Sequence, residues 1–146
     1  MKCDANDGFN VLIVDDAPGD IVLAKLALAE GPFPCQVQAV GNGEEAIALM
    51  LKQPPYRDAP TPDLVLLDLN MPQMNGMEVL AEMRAKPNLC TIPVVVLTTS
   101  DSRTDISAAY QLGARGYLSK PVDVGTLFKK IQVVKEYWFN IVQRPG

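Results

Sequence analysis

The chain of 146 residues contains no histidine. Ser-His-Asp and Cys-His catalysis, His-containing zinc sites and a phosphohistidine role are therefore closed to it, and any chemistry must run on carboxylates, hydroxyls, lysine or an oxygen-liganded metal. Cysteine is scarce too. Cys3, Cys35 and Cys90 are far apart and odd in number, which fits reduced thiols better than a disulfide framework or a zinc site. No apolar run approaches the ~20 residues of a membrane span, and the N-terminal "MKCDANDGFN" has no signal-peptide apolar core. A cytoplasmic protein with no membrane partner is expected. The net charge of −4 comes without a cluster of Lys and Arg, so no nucleic-acid partner is expected either. Apolar residues at 48% and charged residues at 21% describe an ordinary globular domain with a substantial core.

Apolar bursts alternate with amphipathic stretches throughout. Strands are predicted at Phe9–Asp15, Cys35–Val40, Leu64–Asp68, Ile92–Thr98 and Arg115–Ser119. Helices are predicted over Gly19–Glu30, begun by Asp20; from Asn42 to about Lys52; over Asn75–Lys86; from Ser102 to near Gly113; and over Asp123–Gln143. Asn42 and the Ser102/Asp105 pair are capping signals. Four prolines mark Gln53–Asp63 as a loop. Strands of continuous apolar character, each followed by a helix, imply an α/β fold: a five-stranded parallel sheet covered on both faces. With no internal repeat or linker, residues 1–146 read as one domain with its core at about 9–143 and no output domain.

In such sheets the functional crevice lies at the carboxyl ends of the strands, where this chain puts its unusual polar residues. Asp15 and Asp16 end the first strand, Asp68 the third, Thr98 and Thr99 the fourth, and Lys120 follows the fifth. A strand order of 2-1-3-4-5, flavodoxin-like, would bring them together. Crowded carboxylates repel unless a cation sits among them, and their oxygens suit Mg²⁺. A carboxylate, a hard cation, a lysine and a hydroxyl form a receptor for a phosphoryl group, with Asp68 as the natural nucleophile. Singly each residue has an ordinary reading, as a strand-end polar group, a β-branched strand residue or a solvated lysine. Their joint placement carries the argument.

The motifs Asp15-Asp16, "DLNMPQMNG" (Asp68–Gly76), "IPVVVLTTS" (Ile92–Ser100) and "GARGYLSKP" (Gly113–Pro121) resemble the receiver domain of bacterial response regulators, over roughly Asn10 to Val142. The resemblance implies that Asp68 accepts phosphoryl from a sensor histidine kinase. It implies Mg²⁺ on Asp15, Asp16, Asp68 and the backbone carbonyl of Asn70, and a slow self-dephosphorylation. Thr98 would be the switching hydroxyl, Lys120 the contact to phosphoryl, with a cis Lys120-Pro121 bond, and Tyr117 the aromatic that follows Thr98. Asn70 and Ser100 would flank the attacking water. The proline-rich loop before "PDLVLLDLNMP", the "LTTS" and "YWF" segments and the short tail are similar in particular to single-domain regulators of phytochrome-type kinases.

On the last helix Val124, Leu127, Ile131, Val134, Trp138 and Val142 fall on one stripe that should pack on the sheet. Val133 and Tyr137 fall opposite, a candidate interface for a homodimer using the last helix and the face of the fourth helix and fifth strand. Three other readings compete. A haloacid-dehalogenase-type phosphohydrolase would need an acid where Asn70 stands, a flavodoxin-like flavin binder would need a phosphate-cradling loop where Asp15-Asp16 stands, and an adaptor would have lost the phosphorylation residues.

Overall fold

The structure, a computed structural model, describes residues 9–30, 35–71, 73–121 and 123–138. Strands β1 (Phe9–Val14), β2 (Cys35–Val40), β3 (Leu64–Leu67), β4 (Val94–Thr98) and β5 (Gly116–Ser119) alternate with helices. These are α1 (Pro18–Ala29), α2 (Gly43–Met50), α3 (Gly76–Ala85), α4 (Arg103–Gln111) and α5 (Val124–Glu136). The strands form one parallel sheet in the order β2-β1-β3-β4-β5, as the sequence predicts.

Side chains alternate across the strands, and both faces are apolar. Phe9, Val11, Ile13, Leu66 and Leu97 pack with Ala24, Ala27, Leu28, Leu127 and Ile131 of α1 and α5. Leu12, Val14, Leu67 and Val96 pack with Leu49, Val79, Leu80 and Met83 of α2 and α3. This double burial explains the unbroken aliphatic run of β3, whose four residues are all buried.

The caps expected at Asn42 and Ser102 form, and two more appear at Asp123 and Asn75. The Asn42, Ser102 and Asp123 side chains accept from the backbone N–H of Glu45, Asp105 and Thr126, and Asn75 and Glu78 make a reciprocal capping box. Three expectations shift. First, α1 starts at Pro18 rather than Gly19; a proline in the first turn wastes no donor, and Asp20 does not begin the helix but is an acid within its first turn. Second, Val124 is 62% exposed, because as the first residue of α5 it precedes the turn that contacts the sheet, while Leu127, Ile131 and Trp138 are buried as expected. Val142 lies outside the described residues. Third, among the described residues the cis peptide is Pro54–Pro55, not Lys120–Pro121.

One core residue escapes the apolar pattern. Lys135, only 2% exposed, runs between α5 and α1 and donates to the carbonyl oxygens of Leu28 (2.6 Å) and Glu30 (2.9 Å). Its ammonium thus caps the carboxyl end of α1, where carbonyls lack partners and the helix dipole is negative. Replacing it removes both the packed stem and a charged donor. Lys135→Ala is expected to lower the unfolding free energy by about 2–4 kcal/mol, and Lys135→Met, which keeps the stem, by less; chemical denaturation of the variants measures both.

Candidate phosphoryl-receiving site

Register builds the site. Val14 is paired with Leu67, so the next residues, Asp15 and Asp68, sit side by side one step beyond the sheet. Their backbones are still held, with Asp15 N–H donating to Val40 and Asp68 N–H to Val14 (3.1 and 2.9 Å). Thr98 ends β4 opposite Ser119, and Lys120 N–H donates to the Thr98 carbonyl (2.6 Å). Four neighbouring strands thus deliver their terminal residues to one edge.

Asp15, Asp68 and Thr98 are 4%, 7% and 0% exposed, and Asp16 is exposed. The carboxylates of Asp15, Asp16 and Asp68 each offer an oxygen, all within 4.8 Å of one another. Lys120 answers this charge. Its Nζ lies 2.7 Å from Asp15 Oδ2, 2.8 Å from Asp20 Oδ2 and 3.6 Å from Asp68 Oδ2. Burial pushes the Asp15 carboxyl up, the neighbouring Asp68 charge adds to this, and bonds from Lys120 and the Ala17 N–H hold it back. Burial alone would lower the Lys120 ammonium, but Asp15 and Asp20 outweigh it and take it up to about 12. Lys120 stays charged across the physiological range.

The donor set fits a hard divalent cation: three carboxylate oxygens at one open edge, one of them solvent-facing, and more negative charge than one ammonium balances. Asn70 bridges the site in two directions, its N–H donating to Asp68 Oδ1 (3.2 Å) and its side-chain amide to Thr98 Oγ1 (3.4 Å).

Ser100 and Tyr117 are joined to each other rather than to Asp68. The Tyr117 hydroxyl donates to the Ser100 carbonyl (2.9 Å), and the Ser100 hydroxyl is turned toward Asp105 Oδ2 (2.5 Å) in the first turn of α4. Asp105 thus has a second task that its capping signal does not reveal. Asp20 was also hidden behind a helix-start reading. Its signal was its place one helical turn beyond Asp16, where the first turn of α1 faces the strand ends.

The chain belongs to the response regulator receiver domain family, whose pattern matches residues 11–132. Among its relatives, response regulator Rcp1 of Synechocystis sp. is 37% identical, over 100% of this chain and 99% of that protein. The crystal structure of the phosphorylated cyanobacterial phytochrome response regulator RcpA superposes with a TM-score of 0.91 at 38% identity, covering 95% of this chain and 99% of that one. The Mn²⁺-bound form of Rcp1 superposes with a TM-score of 0.89 at 37% identity, covering 94% and 99%. No helix among the described residues is long and apolar enough to cross a membrane.

Gly76 keeps the loop that follows Asp68 in place. A Cβ there would stand 2.5 Å from the Asp68 carbonyl oxygen and 2.7 Å from Leu69 Cα, and both are backbone atoms that cannot swing away. Gly76→Ala should cost about 1–3 kcal/mol of stability and weaken any thermal stabilisation by a divalent cation, both read from melting curves with and without the ion.

Proposed function

We propose that Asp68 is the phosphoacceptor of a two-component relay whose donor is a phosphohistidine on a sensor kinase, of phytochrome type given the relatives. The observation that carries the reading is the convergence of Asp15, Asp16, Asp68 and Lys120 at adjacent strand ends. A divalent ion, Mg²⁺ on this reading, would be held by the three carboxylates and the Asn70 carbonyl, and would supply charge neutralisation on the phosphoryl oxygens.

The chain's own groups do the rest. An oxygen of the ionised Asp68 attacks phosphorus as the bond to the donor's imidazole nitrogen breaks; the bond's electron pair stays on that nitrogen, and with the donor ring's other nitrogen protonated the imidazole departs neutral, leaving an acyl phosphate on Asp68. Lys120, already beside Asp68, pairs with the added negative charge. Thr98 turns its hydroxyl from Asn70 to the phosphoryl oxygen, and Tyr117 exchanges its Ser100 contact for an inward position. A pre-existing equilibrium at the face of α4, β5 and α5 shifts accordingly. Hydrolysis by water beside Asn70 and Ser100 resets Asp68, so the chain catalyses its own slow dephosphorylation without being a turnover enzyme. A cytoplasmic site of action accords with a kinase donor.

Incubation with Mg²⁺ and a small phosphodonor should label the chain up to one phosphoryl group, and Asp68→Asn should abolish the label. Sustained turnover of a phosphomonoester by the wild-type chain would contradict the reading and favour a phosphohydrolase.

The exposed Val133 (64%) and Tyr137 (48%) on α5 support a self-association face. Val133→Asp should shift any dimer seen by size exclusion toward monomer while leaving phosphorylation intact. An unchanged elution would remove α5 from the interface.

A further inference from the structure

The three carboxylates around the Lys120 ammonium are not equivalent. Asp15 and Asp68 belong to the cluster of mutually close oxygens; Asp20 does not. Asp20 reaches in from the first turn of α1 with a side chain 38% exposed, whereas those of Lys120 and Asp15 are 6% exposed. The ammonium therefore lies 2.7 Å from Asp15 and 2.8 Å from an acid outside the cluster, but 3.6 Å from Asp68. A lysine ammonium is a compact point charge with freely rotating donors. Left with Asp15 and Asp68 alone, it would settle between them and cover the Asp68 oxygen that a divalent ion has to reach.

We propose that Asp20 is a positioning residue for Lys120, holding its ammonium on the Asp15 and α1 side of the site so that Asp68 stays open to a hard divalent cation. This rests on the reading of Asp15, Asp16 and Asp68 as a metal site. The alternative is that Asp20 merely adds negative charge that attracts the ion through space. The two act differently once the lysine is gone: positioning needs Lys120, and plain attraction does not.

Calorimetric titration with Mg²⁺ of the wild-type chain, Asp20→Asn, Lys120→Met and the double variant separates them. Asp20→Asn should raise the Mg²⁺ Kd roughly three- to tenfold in the wild-type background, and by less than about twofold beside Lys120→Met. Asp20→Glu should recover most of the loss. Melting without metal checks that each variant is folded, and Lys120→Gln replaces Lys120→Met if the latter does not melt cooperatively. Normal binding by Asp20→Asn, or an equal loss in both backgrounds, would overturn the role given to Asp20 alone. A wild-type chain that binds no Mg²⁺ would instead overturn the metal site, and this role with it.

Discussion

The ammonium of Lys120 and the acids it faces set the terms for the rest of the molecule. Asp15 and Asp68 are buried side by side at the ends of β1 and β3, an arrangement that burial and like charge both oppose. Lys120, arriving from the end of β5, makes it tolerable by pairing with Asp15 at 2.7 Å and standing 3.6 Å from Asp68. Breaking one member out of such a group typically costs about 3–5 kcal/mol, because a buried charge is left without its counterpart. The pair also ties together positions 105 residues apart in sequence, so the strand order and the site hold each other in place. Helix α1 is fastened at both ends by lysines from the other side of the chain: Lys120 at its first turn through Asp20, and Lys135 at its last carbonyls.

From this edge a short series of hydrogen bonds leads outward. Asn70 links Asp68 to Thr98. Beyond Thr98, the loop residue Ser100 is gripped twice, by Tyr117 of β5 through its carbonyl and by Asp105 of α4 through its hydroxyl. Loading Asp68 with phosphoryl, on the proposed reading, changes what Thr98 can bond to and so loosens the grip on Ser100. Such small exchanges move a surface because packed elements have discrete alternatives rather than a continuum. The ring of Tyr117 is half-buried against the core, with its hydroxyl on the Ser100 carbonyl.

Much of this was legible in the residues. Five aliphatic bursts separated by capping signals define the parallel sheet, and the terminal placement of Asp15, Asp68, Thr98 and Lys120 defines one edge of it. What escaped depends on side-chain reach. Lys135 sits four residues after Ile131 on the stripe that packs inward, so a lysine there had to find acceptors; nothing local shows that they are the last carbonyls of α1. Asp20 and Asp105 carry ordinary helix-start signals that mask their partners, Lys120 and Ser100, from distant segments or a preceding loop. Periodicity assigns a face to every helical residue, including Val124, the first of α5, which lies beyond the packed turns.

On the proposed reading these strand ends place a phosphoryl group on Asp68. An acyl phosphate is reduced by borohydride at its carbonyl carbon, whereas a phosphoester on a hydroxyl is not. Sequencing the borohydride-treated phosphorylated chain by mass spectrometry therefore reads the acceptor directly. Homoserine is expected at position 68, with Asp15 and Asp16 unaltered. Homoserine at another aspartate, or phosphate retained on a serine or threonine, would contradict it.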